Sequence, residues 1–297
     1  MYNLNRKLKC LNLGCGSRYV PDWDNFDFVA NSEHVVPHNL IAGLPAKDDS
    51  YDFVYHSHLL EHFSFYQAPI FLQECFRVLR PNGILRVVVP DLESVVNGYL
   101  DALKKVENNL SGWEDNYRWM QIELLDQLVR NQPGGLMSFY LSQEHIPNLD
   151  FIIQRLGSEA KKFTDRERSQ SGNQGKTYAS NFPTISRTLE SFAQPIYRFF
   201  CYSSYRRNAF LKLILSSKEY QSLRIGSFRQ MGEVHQWMYD RYSLTQLIQQ
   251  CGFIDIIQRN ATTSYLEGWS AYNLDTEPDG SVYKPDSLFV EAIKPEL

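Results

Sequence analysis

The tightest constraint on this chain is an apolar run that breaks into Gly-x-Gly: LNLGCGSR, with Gly14, Cys15 and Gly16 at the bend. A buried strand followed by two glycines lets backbone approach a ligand without a Cβ in the way, which nucleoside sites at the strand ends of open sheets require. A dinucleotide site would place a third glycine at position 19, where this chain has Tyr19, and would follow the bend with a full helix to receive the pyrophosphate. Only the eleven residues Gly14 to Asp24 separate this strand from the next, and Pro21 lies among them, so little more than one helical turn fits. The bend suits a nucleoside cofactor without phosphate. Asp27, at the end of the next short strand, is placed to accept hydrogen bonds from both ribose hydroxyls.

Around the bend the pattern is α/β. Strands are expected at 7–13, 25–29, 33–37 and 51–56, a helix at 67–79 stopped by Pro81-Asn82-Gly83, and then the strand ILRVVVP. From Leu92 to Met231 no strand pattern recurs, and helices are expected at 93–106, 114–130 and 150–166, the second with an apolar stripe of Trp119, Ile122, Leu125 and Val129. SQSGNQGK, residues 169–176, reads as a loop. The stretch Phe182 to Arg229 holds eight Lys or Arg against two Glu among many aromatics, and reads as a basic amphipathic surface open to weak peripheral membrane contact. The α/β pattern returns with a helix capped by Ser243 and Gln246 and ended by Gly252, then the strands 253–259 and SLFVEAIK. The expected fold is α/β: a Rossmann-like, mostly parallel sheet with an antiparallel C-terminal strand and a large helical insertion or lid. Its divisions fall at 1–92, 93–231 and 232–297.

Charge and cysteines narrow the function. Thirty basic against 34 acidic residues, a net charge of −4, gives no surplus for neutralising phosphates, so no nucleic-acid partner is expected. Five scattered cysteines without CxxC spacing fit reduced thiols. With neither a signal-peptide pattern at the N-terminus nor an apolar run long enough to span a bilayer, the expected compartment is the cytoplasm, with the inner membrane face left open as a peripheral site.

In order and spacing, LNLGCGSR, NFDF, HNL, LPAKDDSYDFVYHSHLLEH and FLQECFRVLRPNGILRVVVPDL resemble the class I S-adenosylmethionine-dependent methyltransferases, in the branch called type 11; the resemblance covers 9–92. It implies S-adenosyl-L-methionine as cofactor. Gly14, Cys15 and Gly16 would line its methionine and ribose end, Asp27 would hold the ribose, and Asn39 with Leu40 would flank the adenine. Arg18 would clamp the methionine carboxylate, while Ser57 and His58 would reach the cofactor from the fourth strand. Asn12 and Asn39 stand where the family has Asp, exchanges that keep an acceptor and remove a charge.

For the acceptor end, GEVHQWMYDRYS offers His235 as base or orienting group, Asp240 as the reserve catalytic group, and Trp237 and Tyr239 as pocket walls, with His62 facing the substrate. A small-molecule, glycan or lipid-linked acceptor, methylated on oxygen, is expected. Two rival readings stand beside this one. The first is a non-catalytic S-adenosylmethionine-binding regulator. The second is a zinc hydrolase, because His58-x-x-Glu61-His62 also spells an inverted zinc-peptidase motif; no metal is expected, since the motif directly follows a strand and lacks a third ligand.

Overall fold

The computed structural model describes residues 7–161 and 203–296. Seven strands form one sheet in the order β3-β2-β1-β4-β5-β7-β6. The first five, β1 (Cys10–Leu13), β2 (Asp24–Asp27), β3 (Val36–Pro37), β4 (Tyr51–Ser57) and β5 (Leu79–Pro90), run parallel. β7 (Ser287–Ile293) enters antiparallel between β5 and β6 (Ile254–Arg259). This is the Rossmann-like sheet the pattern predicted.

The central strands are buried on both faces, which is why they read as continuous apolar runs. On one face Leu11, Leu13, Val54, Leu85, Val87 and Val290 pack against helix α1 (Gln67–Val78) and the late helix α8 (Arg241–Gln250). On the other, Phe53, Tyr55 and Val88 meet Trp269, Leu266 and Leu274 from the loop before β7.

The insertion begins with α2 (Leu92–Glu107), α3 (Trp113–Val129), α4 (Gly135–Leu141) and α5 (Leu149–Leu156), which build their own core around Trp119, Met120, Tyr140 and Ile152. The expected α3 stripe is rotated. Trp119 is buried, but Leu125 and Val129 are exposed, and Glu123 and Asp126 take the inner positions. They can do so because each is paired: Glu123 accepts from Trp119 Nε1 (2.9 Å) and Arg155 Nε (2.8 Å), and Asp126 from Arg130 and the backbone of Leu136. Helices α6 (Ser203–Ile214) and α7 (Ser217–Arg229) follow, with Phe210, Leu213 and Ile214 exposed on α6. The 169–176 loop, Cys201 and the first half of the basic aromatic stretch lie outside the described residues. No helix among the described residues is long and apolar enough to cross a membrane.

Candidate active site at the strand ends

β1 ends at Leu13, and Gly14 and Gly16 both take left-handed backbone conformations, at φ 63° and 53°. The left-handed backbone at Gly14 favours glycine there, and a Cβ would stand 2.8 Å from the Leu59 side chain, which would have to shift. A Cβ on Gly16 would meet nothing within 4 Å, so the outer arm of the bend faces open space. Asp27 closes the cradle: its Oδ2 accepts from the Gly16 amide at 2.7 Å, and Oδ1 from that of Val29 at 3.3 Å. A carboxylate offers about four lone-pair directions, so both oxygens keep capacity for ribose hydroxyls. Asn31 braces the bend through the Gly16 carbonyl (3.0 Å), and buried Asn12 does so through the Arg18 carbonyl (3.0 Å). Cys15 is buried, its thiol pushed up to about 12 by desolvation and then by Asp27. Asn39 caps the turn Leu40–Ala42 through the Ile41 amide. Leu40, Ile41, Phe63 and Gln67 line a cavity of about 70 Å³ beside that turn.

Other expected site residues are committed elsewhere. The Arg18 guanidinium bonds the carbonyls of Asn273 (2.6 Å) and Thr276 (3.0 Å), pairs with Glu277 (2.7 Å) and stacks on Tyr283. It pins the loop before β7 and is not free to clamp a carboxylate. Asp240, not Ser243, is the N-cap of α8: its carboxylate accepts from the amides of Tyr242 (3.0 Å) and Ser243 (2.7 Å), which spends the group proposed as reserve base. Tyr239 is in the core, whereas Trp237 is partly exposed against Phe65.

His58 and its neighbours form the second half of the site. Ser57 ends β4, and His58 leaves it at φ 50°, in the left-handed region that few non-glycine residues adopt. The ring reaches Ser287 Oγ (2.8 Å) at the start of β7, on the side of β4 away from the glycine bend. The next turn, Leu60–His62, buries Glu61 completely. The chain at 235–237 folds onto that turn, with the amides of Gln236 and Trp237 donating to the Glu61 carbonyl and the His235 amide to that of Gln127. This places His235 Nε2 4.0 Å and His58 Nδ1 3.5 Å from Glu61 Oε1, while the His62 and His235 rings meet edge to face at 4.8 Å.

Neither Glu61 carboxylate oxygen has a hydrogen-bond partner, nor does Nδ1 of His62. Burial pushes Glu61 up to about 8 and His62 down to about 4, and holds His58 and His235 well below the ordinary imidazole range. α2 and α5, with Asp286 just before β7, border an open cavity of about 310 Å³ lined by Ser94, Gly98, Asp101, Phe151, Arg155 and Asp286. Asp286 is pushed up to about 7, chiefly by burial and then by Glu123. Lys284 and Asp286 were not singled out in sequence, because KPDS reads only as a turn before the last strand, and Arg155 read as one polar position of the expected helix 150–166. The zinc-like spacing was visible, but Glu61 and His62 meet His235 from a distant segment, a partner spacing cannot reveal.

The Gly14–Gly16 bend with Asp27 and the buried polar cluster of Glu61, His62 and His235 thus both lie at the carboxyl ends of the parallel strands, one following β1 and the other β4. Residues 29–87 match the family described as "Methyltransferase domain". S-adenosylmethionine is the cofactor such a domain takes, and the open face at Gly16 with the partly free Asp27 carboxylate fits it. No curated protein matches the chain. Among solved structures it is similar to a SAM-dependent methyltransferase from Archaeoglobus fulgidus, at 10% identity over 97% of this chain and 86% of that one, TM-score 0.38. It is also similar to a possible histamine N-methyltransferase from Thermotoga maritima, at 12% identity over 98% and 84%, TM-score 0.36. The cyclase SpnF is 21% identical over 29% of this chain, TM-score 0.25. The chain spans 40% of SpnF and 60% of a methyltransferase chain from a Haloferax volcanii complex with the Trm112 activator.

Proposed function

We propose that the protein transfers a methyl group from S-adenosylmethionine to an oxygen of a small-molecule, glycan or lipid-linked acceptor seated beside Glu61, His62 and His235. The observation that carries this reading is the pairing of two halves along one sheet edge: the Gly16–Asp27 cradle, and the unsatisfied polar cluster beyond β4. When bound, the cofactor supplies a methyl carbon already activated by its sulfonium, so the protein's work is alignment and control of the acceptor proton. Asp27 grips the ribose and Asn39 with Leu40 borders the adenine. The cavity between α2 and α5 receives the acceptor, with Asp101 and Asp286 as acceptors for its hydroxyls. His235 acts as base or orienting group.

Calorimetry with S-adenosylmethionine and its demethylated product, followed by screening extracts for uptake of isotope-labelled methyl, tests the reading. His235→Ala is expected to leave cofactor affinity unchanged and to slow transfer at least tenfold. Unchanged turnover would remove His235 from the reaction.

A further inference from the structure

Glu61 is fully buried, with both carboxylate oxygens unpartnered. A buried acid without a hydrogen bond costs about 1–3 kcal/mol even when neutral, and more when charged. Around it stand the imidazoles of His58, His62 and His235, with the Lys284 ammonium and the Asp286 carboxyl in electrostatic reach. One donor atom each from Glu61, His62 and His235 lies within 4.8 Å of the other two, and Nδ1 of His62 is likewise buried and unpartnered.

We infer that Glu61, His62 and His235 bind a divalent transition-metal ion of the zinc class. Two imidazoles and one carboxylate are the donor set of zinc sites that keep a position open for an exchangeable ligand. Donors about 2.0–2.2 Å from one ion must stand roughly 3–4 Å apart, so small side-chain rotations close the site. His58 completes it from behind: its Nε2 is held by Ser287, and its Nδ1 faces Glu61 Oε1, the kind of outer-shell contact that orients a ligating carboxylate. The ligand set differs from the one the sequence spacing spelled, since His58 supports and His235 coordinates. How the ion is used rests on the methyl-transfer reading: an acceptor oxygen at the open position is fixed and polarised. In that arrangement His235 orients through the ion.

The experiment is a titration of chelator-stripped full-length protein with Co²⁺ and Zn²⁺, read by ligand-field absorption and by calorimetry, beside metal analysis of the protein as purified. Expected are one equivalent of ion, tetrahedral-type cobalt absorption, and at least a tenfold loss of affinity in both Glu61→Gln and His62→Gln, with S-adenosylmethionine affinity unchanged as proof that both variants fold. Wild-type protein that binds the cofactor but shows no cobalt band and no zinc heat overturns the metal site and leaves the methyl-transfer reading standing. Protein that binds the ion but not the cofactor does the reverse. Equal metal affinity in wild type and both variants also overturns the assignment.

Discussion

Two buried polar clusters, one centred on Arg86 and one on Glu61, have the same burial and opposite hydrogen-bond accounts. Arg86 is fully buried on β5 and spends its whole guanidinium: on Asp275 (2.7 Å), on Glu291 (2.9 Å), and on the carbonyls of Thr263 (2.9 Å) and Asn260 (2.8 Å), over the face of Trp269. Tyr55 donates to the remaining Asp275 oxygen at 2.6 Å, and Arg259 and the Tyr265 amide to Glu291. Glu61, equally buried, has no such partner. A satisfied buried network holds the loop 260–283 to the sheet. An unsatisfied one at the strand ends is stability forgone, which a bound ligand would restore.

The largest effect should come from breaking the satisfied cluster. Arg86→Met leaves two buried carboxylates facing each other without their cation, and a loss of about 3–5 kcal/mol is expected in urea unfolding. Loss below about 1 kcal/mol would mean the network is not what holds that loop. Next in size, Asp27→Ala should weaken S-adenosylmethionine binding at least tenfold, about 1.4 kcal/mol, by calorimetry, while leaving the unfolding midpoint nearly unchanged. An intact affinity would take the ribose away from Asp27.

How much of this contrast could be read beforehand follows from what each part depends on. The bend at Gly14 and Gly16, the Asp27 strand end and the sheet were legible, because a glycine turn and apolar strand runs are local signals. Arg18 was misread because its partners, Asn273 and Thr276, lie some 255 residues away. The α8 cap slipped from Ser243 to Asp240 because both belong to one box and either can head it. The α3 stripe failed where tertiary pairing overrode periodicity, with Glu123 and Asp126 buried through Arg155 and Arg130. His235 was legible as a candidate; its meeting with Glu61 and His62 was not.

A smaller effect should appear with pH at Asp286, which faces Lys284 and Arg155 but also Glu123 and Glu159. Its acid is held at about 7 in the folded chain, against roughly 3.9 when unfolded. The folded state therefore binds the extra proton between those values, and this residue's contribution to stability falls as pH rises from about 4 to about 7. Asp286→Asn removes that slope. Its thermal midpoint should exceed the wild-type value above neutral pH, and the difference should shrink toward about pH 4; a gap that does not depend on pH would place the carboxyl in contact with water.

The smallest expected effect carries the comparison itself. In chelator, Glu61→Gln exchanges an acid that burial disfavours for a neutral amide of the same shape, so stability should change by no more than about 0.5 kcal/mol, or rise. Gln keeps the packing at the Leu60–His62 turn and the backbone carbonyl that Gln236 and Trp237 use, so nothing structural is withdrawn with the carboxyl. If urea unfolding of Glu61→Gln instead shows a loss as large as that of Arg86→Met, then Glu61 holds the fold together, and the distinction between a satisfied scaffold and an unsatisfied site fails at the residue on which it was drawn.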